Sequence, residues 1–117
     1  MRSKLPGKPL TDIQKNIVAI ASFIKGMSFE DFLRDQKTCY AVLRALEIIS
    51  EASRHLPTDV KSRYPDIDWR AVAGAGNVYR HDYDSVDDAV IWHTINSELA
   101  PLKAAVDAEL ALLRTDE

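Results

Sequence analysis

Cysteine is nearly absent from this sequence: Cys39 stands alone in 117 residues. One thiol excludes an intrachain disulfide and argues against a cysteine-built zinc site. It also makes a reducing compartment the default setting. Glycine (4) and proline (5) are few, which fits long helices better than a turn-rich β protein. No apolar run approaches the roughly 20 residues that a membrane-spanning helix needs. The basic start Met1-Arg2-Ser3-Lys4-Leu5-Pro6 lacks a signal-peptide core behind it, because Asp12, Lys15 and Asn16 interrupt the apolar residues. The expectation is a cytoplasmic protein with no membrane partner. An excess of positive charge is lacking as well, since the formal net charge is −3. A protein that holds nucleic acid mainly by counterion release would be basic. Any RNA contact must therefore come from a local patch, a second subunit or a partner.

What is present is a helical pattern. Hydrophobic residues make up 46% of the chain, enough for one core in a single domain over 1–117. Residues 1–8 read as a loose N-terminal arm. Thr11 or Asp12 is the expected cap of a first helix whose Ile13, Ile17, Ile20 and Ile24 repeat at spacings of a helical stripe. Gly26 stands where a C′ glycine would end it. Ser28 is placed to cap a short second helix with Phe29, Phe32 and Leu33 inward. A third helix, from about Thr38 to His55, carries Val42, Leu46 and Ile49, widened by Leu43 and Ala45. Arg44, Glu47 and Glu51 fall off that stripe. Pro57 ends it and opens a short helical turn through Val60 and Tyr64. Asp68 is the expected cap of a fourth helix running from Trp69 to about Tyr83. Ser85 is the expected cap of the last stretch, with Val90, Ile91, Ile95 and Leu99 on its apolar side. Pro101 kinks that stretch or opens a new helix. Leu102, Val106, Leu110 and Leu113 continue the stripe. The predicted fold is all-α, an up-and-down bundle of about five helices.

The fourth helix is unusual. Ala73-Gly74-Ala75-Gly76 sets two glycines inside it, each costing roughly 1 kcal/mol against alanine. Close approach of another helix backbone is the preferred explanation, ahead of close approach of a ligand phosphate. Downstream, Asn77, Arg80, His81 and Asp84 share one face by spacing. Val72, Gly76, Tyr79 and Tyr83 share another. The polar set suits phosphodiester chemistry: histidine moves a proton near neutral pH, and arginine holds a phosphate bidentately. No metal or cofactor is required if the nucleophile is the RNA's own 2′-hydroxyl. A solvated helix face with an incidental histidine has the same spacing, and on spacing alone it is the preferred reading.

Asp68-Trp69-Arg70-Ala71-Val72-Ala73-Gly74, Asn77, His81-Asp82-Tyr83, Val86-Asp87, Ile91-Trp92 and Leu99-Ala100-Pro101-Leu102-Lys103 resemble the HepT-like branch of the HEPN superfamily. So does Tyr40-Ala41-Val42-Leu43-Arg44-Ala45-Leu46-Glu47-Ile48-Ile49-Ser50-Glu51-Ala52-Ser53 as a central helix. The resemblance runs from about residue 10 to 113. It implies a dimeric helical bundle acting as a metal-independent RNase toxin, the toxin of a type VII toxin–antitoxin system. The implied partner is an MntA-like minimal nucleotidyltransferase antitoxin that silences the RNase by transferring AMP to a tyrosine. The family motif is arginine, four to six residues, then histidine, often with tyrosine two positions on. By position, His81 matches the histidine, as acid and base, and Tyr83 the AMP acceptor. The family's arginine usually lies five residues before the histidine, and Gly76 stands there. Arg80 is the nearest arginine, one turn further and displaced about 6 Å along the axis. It is the implied phosphate clamp, with Asn77 as an auxiliary donor. Arg70 lies too far upstream for the motif.

Glu47 and Glu51 form an i, i+4 pair, read as ordinary helix-face carboxylates partnered by Arg44, Arg54 and His55 rather than as a metal site or as groups tuning the motif. His93 is expected to be partly buried or at an interface, Trp69 and Trp92 to be core or dimer anchors, and Cys39 to be a small buried hydrophobe. Two readings compete with the RNase. One is a catalytically degenerate binding subunit of the nucleotidyltransferase complex. The other is nucleotide binding around Gly74 and Gly76 without turnover, which lacks any P-loop or dinucleotide fingerprint.

Overall fold

The computed structural model describes residues 7–81 and 87–115, with side-chain surroundings for 7–75 and 87–115. Among the described residues there are seven helices and no strand: α1 (Gly7–Phe23), α2 (Phe29–Arg34), α3 (Gln36–Arg54), α4 (Thr58–Ser62), α5 (Trp69–His81), α6 (Asp88–Ser97) and α7 (Leu99–Thr115). The all-α expectation holds. The count exceeds about five because the short turn after Pro57 is a helix of its own, α4, of 5 residues, and the last stretch divides at Glu98, the C-cap of α6. Pro101 then falls in the first turn of α7, where a missing N–H costs nothing. Among the described residues no helix is long and apolar enough to cross a membrane.

The core forms around α3. Val42, Leu46 and Ile49 are buried with Leu43 and Ala45, as their spacing predicts. They meet Leu10, Ile13, Ile17 and Ile20 of α1, Ile91 and Ile95 of α6, and Leu99, Leu102 and Val106 of α7 in one cluster. Phe32 is fully buried and stacks obliquely on Trp92, with ring centroids 5.2 Å apart.

Several local expectations are corrected. Helix α1 begins at Gly7, so neither Thr11 nor Asp12 caps it and the arm is shorter than residues 1–8. Pro9 sits in the first turn, where its ring is tolerated, and Asp12 instead pairs with Lys8 at 2.9 Å. Leu33 and Val90 face outward, at 47% and 57% exposure. Each lies next to the residue that the core actually takes, Phe32 and Ile91. Asp87 caps α6, its carboxylate accepting from the Ala89 N–H at 2.8 Å; Ser85 lies outside the described residues. Other caps are as read. Ser28 and Asp31 form a reciprocal capping box, and Gly26 takes φ of 78°, the left-handed region that glycine enters without a Cβ penalty.

An ion pair between a buried carboxylate and an exposed arginine ties α7 to the segment before α5. Glu109 on α7 is 4% exposed. It accepts from Arg63 Nε at 3.1 Å and Nη2 at 2.6 Å, and from the Tyr64 hydroxyl at 2.8 Å. The Tyr64 carbonyl in turn accepts from Trp69 Nε1 at 3.2 Å, which it shares with the Lys61 carbonyl at 3.1 Å. The Arg63 guanidinium holds the Glu109 carboxyl below its ordinary range, overcoming burial, with the tyrosine hydroxyl assisting.

A group with a depressed folded-state pKa contributes stability above its unfolded pKa and loses it as pH falls through the folded value. The melting temperature should therefore drop below about pH 4.5, and Glu109→Gln should make that drop shallower. Arg63→Ala should cost about 2 kcal/mol at neutral pH by leaving the carboxylate short of donors, measurable by urea denaturation.

Candidate active site on α5

Helix α5 starts on a designed-looking sequence signal that the structure bears out: the Asp68 carboxylate accepts from the Ala71 N–H at 3.0 Å. The Trp69 indole anchors the first turn, as above. Beyond that turn the helix packs along α3 through residues that are only partly buried. Trp69, Val72 and Ala75 are only partly buried against the core, and no described residue of α5 up to Ala75 is fully buried.

Polar contacts from α3 add to this packing. Ser50, 2% exposed, donates its hydroxyl to the Val72 carbonyl at 2.7 Å. Arg54, one turn along α3, donates Nη1 to the Ala73 carbonyl at 2.7 Å. Arg54 Nη2 is also bonded to one oxygen of Glu51, whose other oxygen meets His55 Nε2 at 3.0 Å. The Arg54 guanidinium, then His55, hold the Glu51 carboxyl below the ordinary carboxylate range.

Asn77, Arg80 and His81 occupy the last two turns of α5, at positions 3 and 4 apart on a continuous helix. Their side chains fall outside the described surroundings, and Tyr83 outside the described residues altogether. The described part of the stripe that leads in register to positions 77 and 81 is Arg70 and Gly74, both exposed. A Cβ built on Gly74 meets nothing within 4 Å. Close approach of another helix backbone, the preferred explanation, is thus not met at Gly74 by any described helix of this chain, since α3 lies on the side of Val72 and Ala75; Gly76 lies outside the described surroundings.

The remaining candidates are placed plainly. Glu51 is engaged by Arg54 and His55, as an ordinary helix-face carboxylate. Glu47 lines the same open groove of about 580 Å³ with Lys8, Asp12, Arg44 and Arg54. Among the described residues no cluster of three or more His, Cys, Asp or Glu side chains is grouped to hold a metal. His93 is exposed, not buried, with Ser97 at 3.5 Å. Trp69 and Trp92 are core anchors, Trp92 also meeting Phe29 at 6.1 Å. Cys39 is half-buried, its Sγ donating to the Phe32 carbonyl at 3.3 Å, and burial pushes its thiol pKa up. The roles of Ser50 and Arg54 were missed from sequence. Their i, i+4 spacing was the only available signal, and it does not say that a carbonyl pair on another helix lies opposite.

An all-α bundle packed around a central helix is consistent with a HEPN-like fold. The profile of the family described as Ribonuclease HepT-like matches residues 13–109, and the chain belongs to that family. A protein of Thermococcus cleftensis named probable ribonuclease HepT is 45% identical over 94 residues, covering 80% of this chain and 86% of that protein. A Methanocaldococcus jannaschii protein whose name marks it as a candidate RNase is 31% identical, covering 84% of this chain and 90% of its own length. A similarly named protein of Caldanaerobacter subterraneus is 34% identical, over 88% and 92%. No solved structure matches the chain.

Because Gly74 is exposed, helical and free of neighbours, Gly74→Ala should stabilise the isolated fold by about 1 kcal/mol, read as a raised urea midpoint at unchanged slope. A destabilised variant would show that this position meets a packing partner after all.

Proposed function

We propose that this chain is a metal-independent endoribonuclease acting as the toxin of a type VII toxin–antitoxin pair. The observation that carries the reading is the family match over residues 13–109, which spans both α3 and the α5 segment bearing His81. In the proposed reaction His81 takes the proton from an RNA 2′-hydroxyl. The 2′-oxygen attacks the adjacent phosphorus, the P–O5′ bond breaks, and His81, now an imidazolium, returns its proton to O5′, which leaves as a 5′-hydroxyl. The other product is a 2′,3′-cyclic phosphate. Arg80 binds the phosphate and its developing charge, with Asn77 as a further donor. A two-fold dimer would bring two such motifs together and concentrate cations that a chain of net charge −3 otherwise lacks. An MntA-like nucleotidyltransferase would silence the enzyme by moving AMP onto the Tyr83 hydroxyl.

A second reading rests on one specific observation: Gly76 stands where the family motif has its arginine. On that reading the chain is a degenerate subunit that binds the nucleotidyltransferase without cutting RNA.

Purified protein in excess EDTA should cleave RNA to cyclic-phosphate ends, and His81→Ala should lower the rate by about 100-fold or more. Arg80→Ala should fall by a similar order, while fully 2′-deoxy-substituted RNA should resist. Equal cleavage by wild type and His81→Ala would overturn the assignment. No cleavage by either, with a stable nucleotidyltransferase complex, would favour the second reading. After co-expression with that partner, intact mass should show AMP adducts, lost in Tyr83→Phe.

A further inference from the structure

We infer that Ser50 and Arg54 act as a two-point clamp that positions the catalytic turns of α5, with Glu51 orienting Arg54. The role assigned to the clamp in cleavage rests on the RNase reading above; the clamp itself does not.

Glycines at 74 and 76 lower the intrinsic helix tendency immediately before Asn77. Apolar packing over residues 69–75 is partial: Trp69, Val72 and Ala75 are half-buried against the core, and none of these seven residues is fully buried. With glycine at 76, the turn that begins the site has no side chain of its own at that position to hold it. Backbone anchors add to its placement.

Those anchors are in register with the weak point. In an α-helix the carbonyls of residues 72 and 73 accept from the N–H groups of 76 and 77. Ser50 and Arg54 donate to the same two carbonyls, both at 2.7 Å. A carbonyl has two lone pairs and can accept both donors. The two clamping side chains are i, i+4 on α3, a helix fixed by its buried apolar stripe. They therefore transmit the position of the core to the turn from which Asn77, Arg80 and His81 follow. Arg54 is a long side chain with many rotamers, and Glu51 removes that freedom by bonding Nη2. Its carboxylate is held ionised by the same contact, so the pair persists across the neutral range. None of these residues is assigned contact with RNA. They are positioning residues, acting through α5.

The test combines exchange with kinetics. In Arg54→Ala, hydrogen exchange at the amides of Gly76 and Asn77 should accelerate about tenfold or more while the amides of α3 and α1 stay unchanged. Arg54→Lys, which retains one donor able to reach the Ala73 carbonyl, should recover part of the protection. RNA cleavage by Arg54→Ala should lose about tenfold or more in kcat with KM within about twofold, as expected for misplacement rather than lost binding. Arg54→Ala combined with His81→Ala should be no slower than His81→Ala alone. Unchanged exchange at 76 and 77 overturns the clamp. Accelerated exchange with unchanged kcat in an active wild type overturns its role in cleavage. A wild type that does not cleave RNA refutes the RNase reading instead, and the exchange result still decides the clamp.

Discussion

The buried stripe of α3 is the constraint on which the rest of the molecule depends. Val42, Leu46 and Ile49 sit at 0–4% exposure, and a leucine or isoleucine so enclosed contributes on the order of 2 kcal/mol or more against its exposed state. That burial fixes α1 on one side and locates α5 on another. It also fixes the two polar side chains at the edge of the stripe. Ser50 and Arg54 are placed by the same helix that packs the core, and their reach to Val72 and Ala73 converts apolar order into a defined position for a polar segment. The proposed site would need this, because a helix that is to present Asn77, Arg80 and His81 to RNA cannot bury those residues.

The opposite end of α5 is fixed by different chemistry. Glu109 on α7 is enclosed and ionised, and it survives burial only through Arg63 and Tyr64. The Tyr64 carbonyl then receives Trp69, so the first turn of α5 is tied to the C-terminal helix. Between the Trp69 anchor and the Ser50–Arg54 clamp, the helix is held at two heights along its axis. The exposed stripe from Arg70 through Gly74 leads between and beyond these points toward positions 77 and 81.

Much of this was legible in the residues. The α3 stripe, the Ser28 and Asp68 caps, the glycine turn at 26 and the helical break near Pro101 all follow from local rules that tertiary contacts did not override. The failures have local physical causes. Leu33 and Val90 are apolar but stand one residue away from the position that the core selects, and in helices of 6 and 10 residues periodicity is too short to choose between neighbours. Helix α1 starts earlier than read because proline is compatible with a first turn. Gly74 was read as a packing glycine, whereas it faces open space. The candidate site is legible only as a segment, through the family pattern around His81. The clamp was not legible, since hydrogen bonds to backbone carbonyls leave no mark in residue type.

The central claim is that α5, held by α3, is the surface on which RNA is bound and cut. Titrating ¹⁵N-labelled protein with a 2′-deoxy-substituted, non-cleavable RNA analogue tests it most directly. The account predicts amide shift changes concentrated on α5 from Arg70 to His81, with the Arg54 side chain perturbed beside them. Changes confined to α1, α6 or α7, with α5 unmoved at saturation, would contradict it.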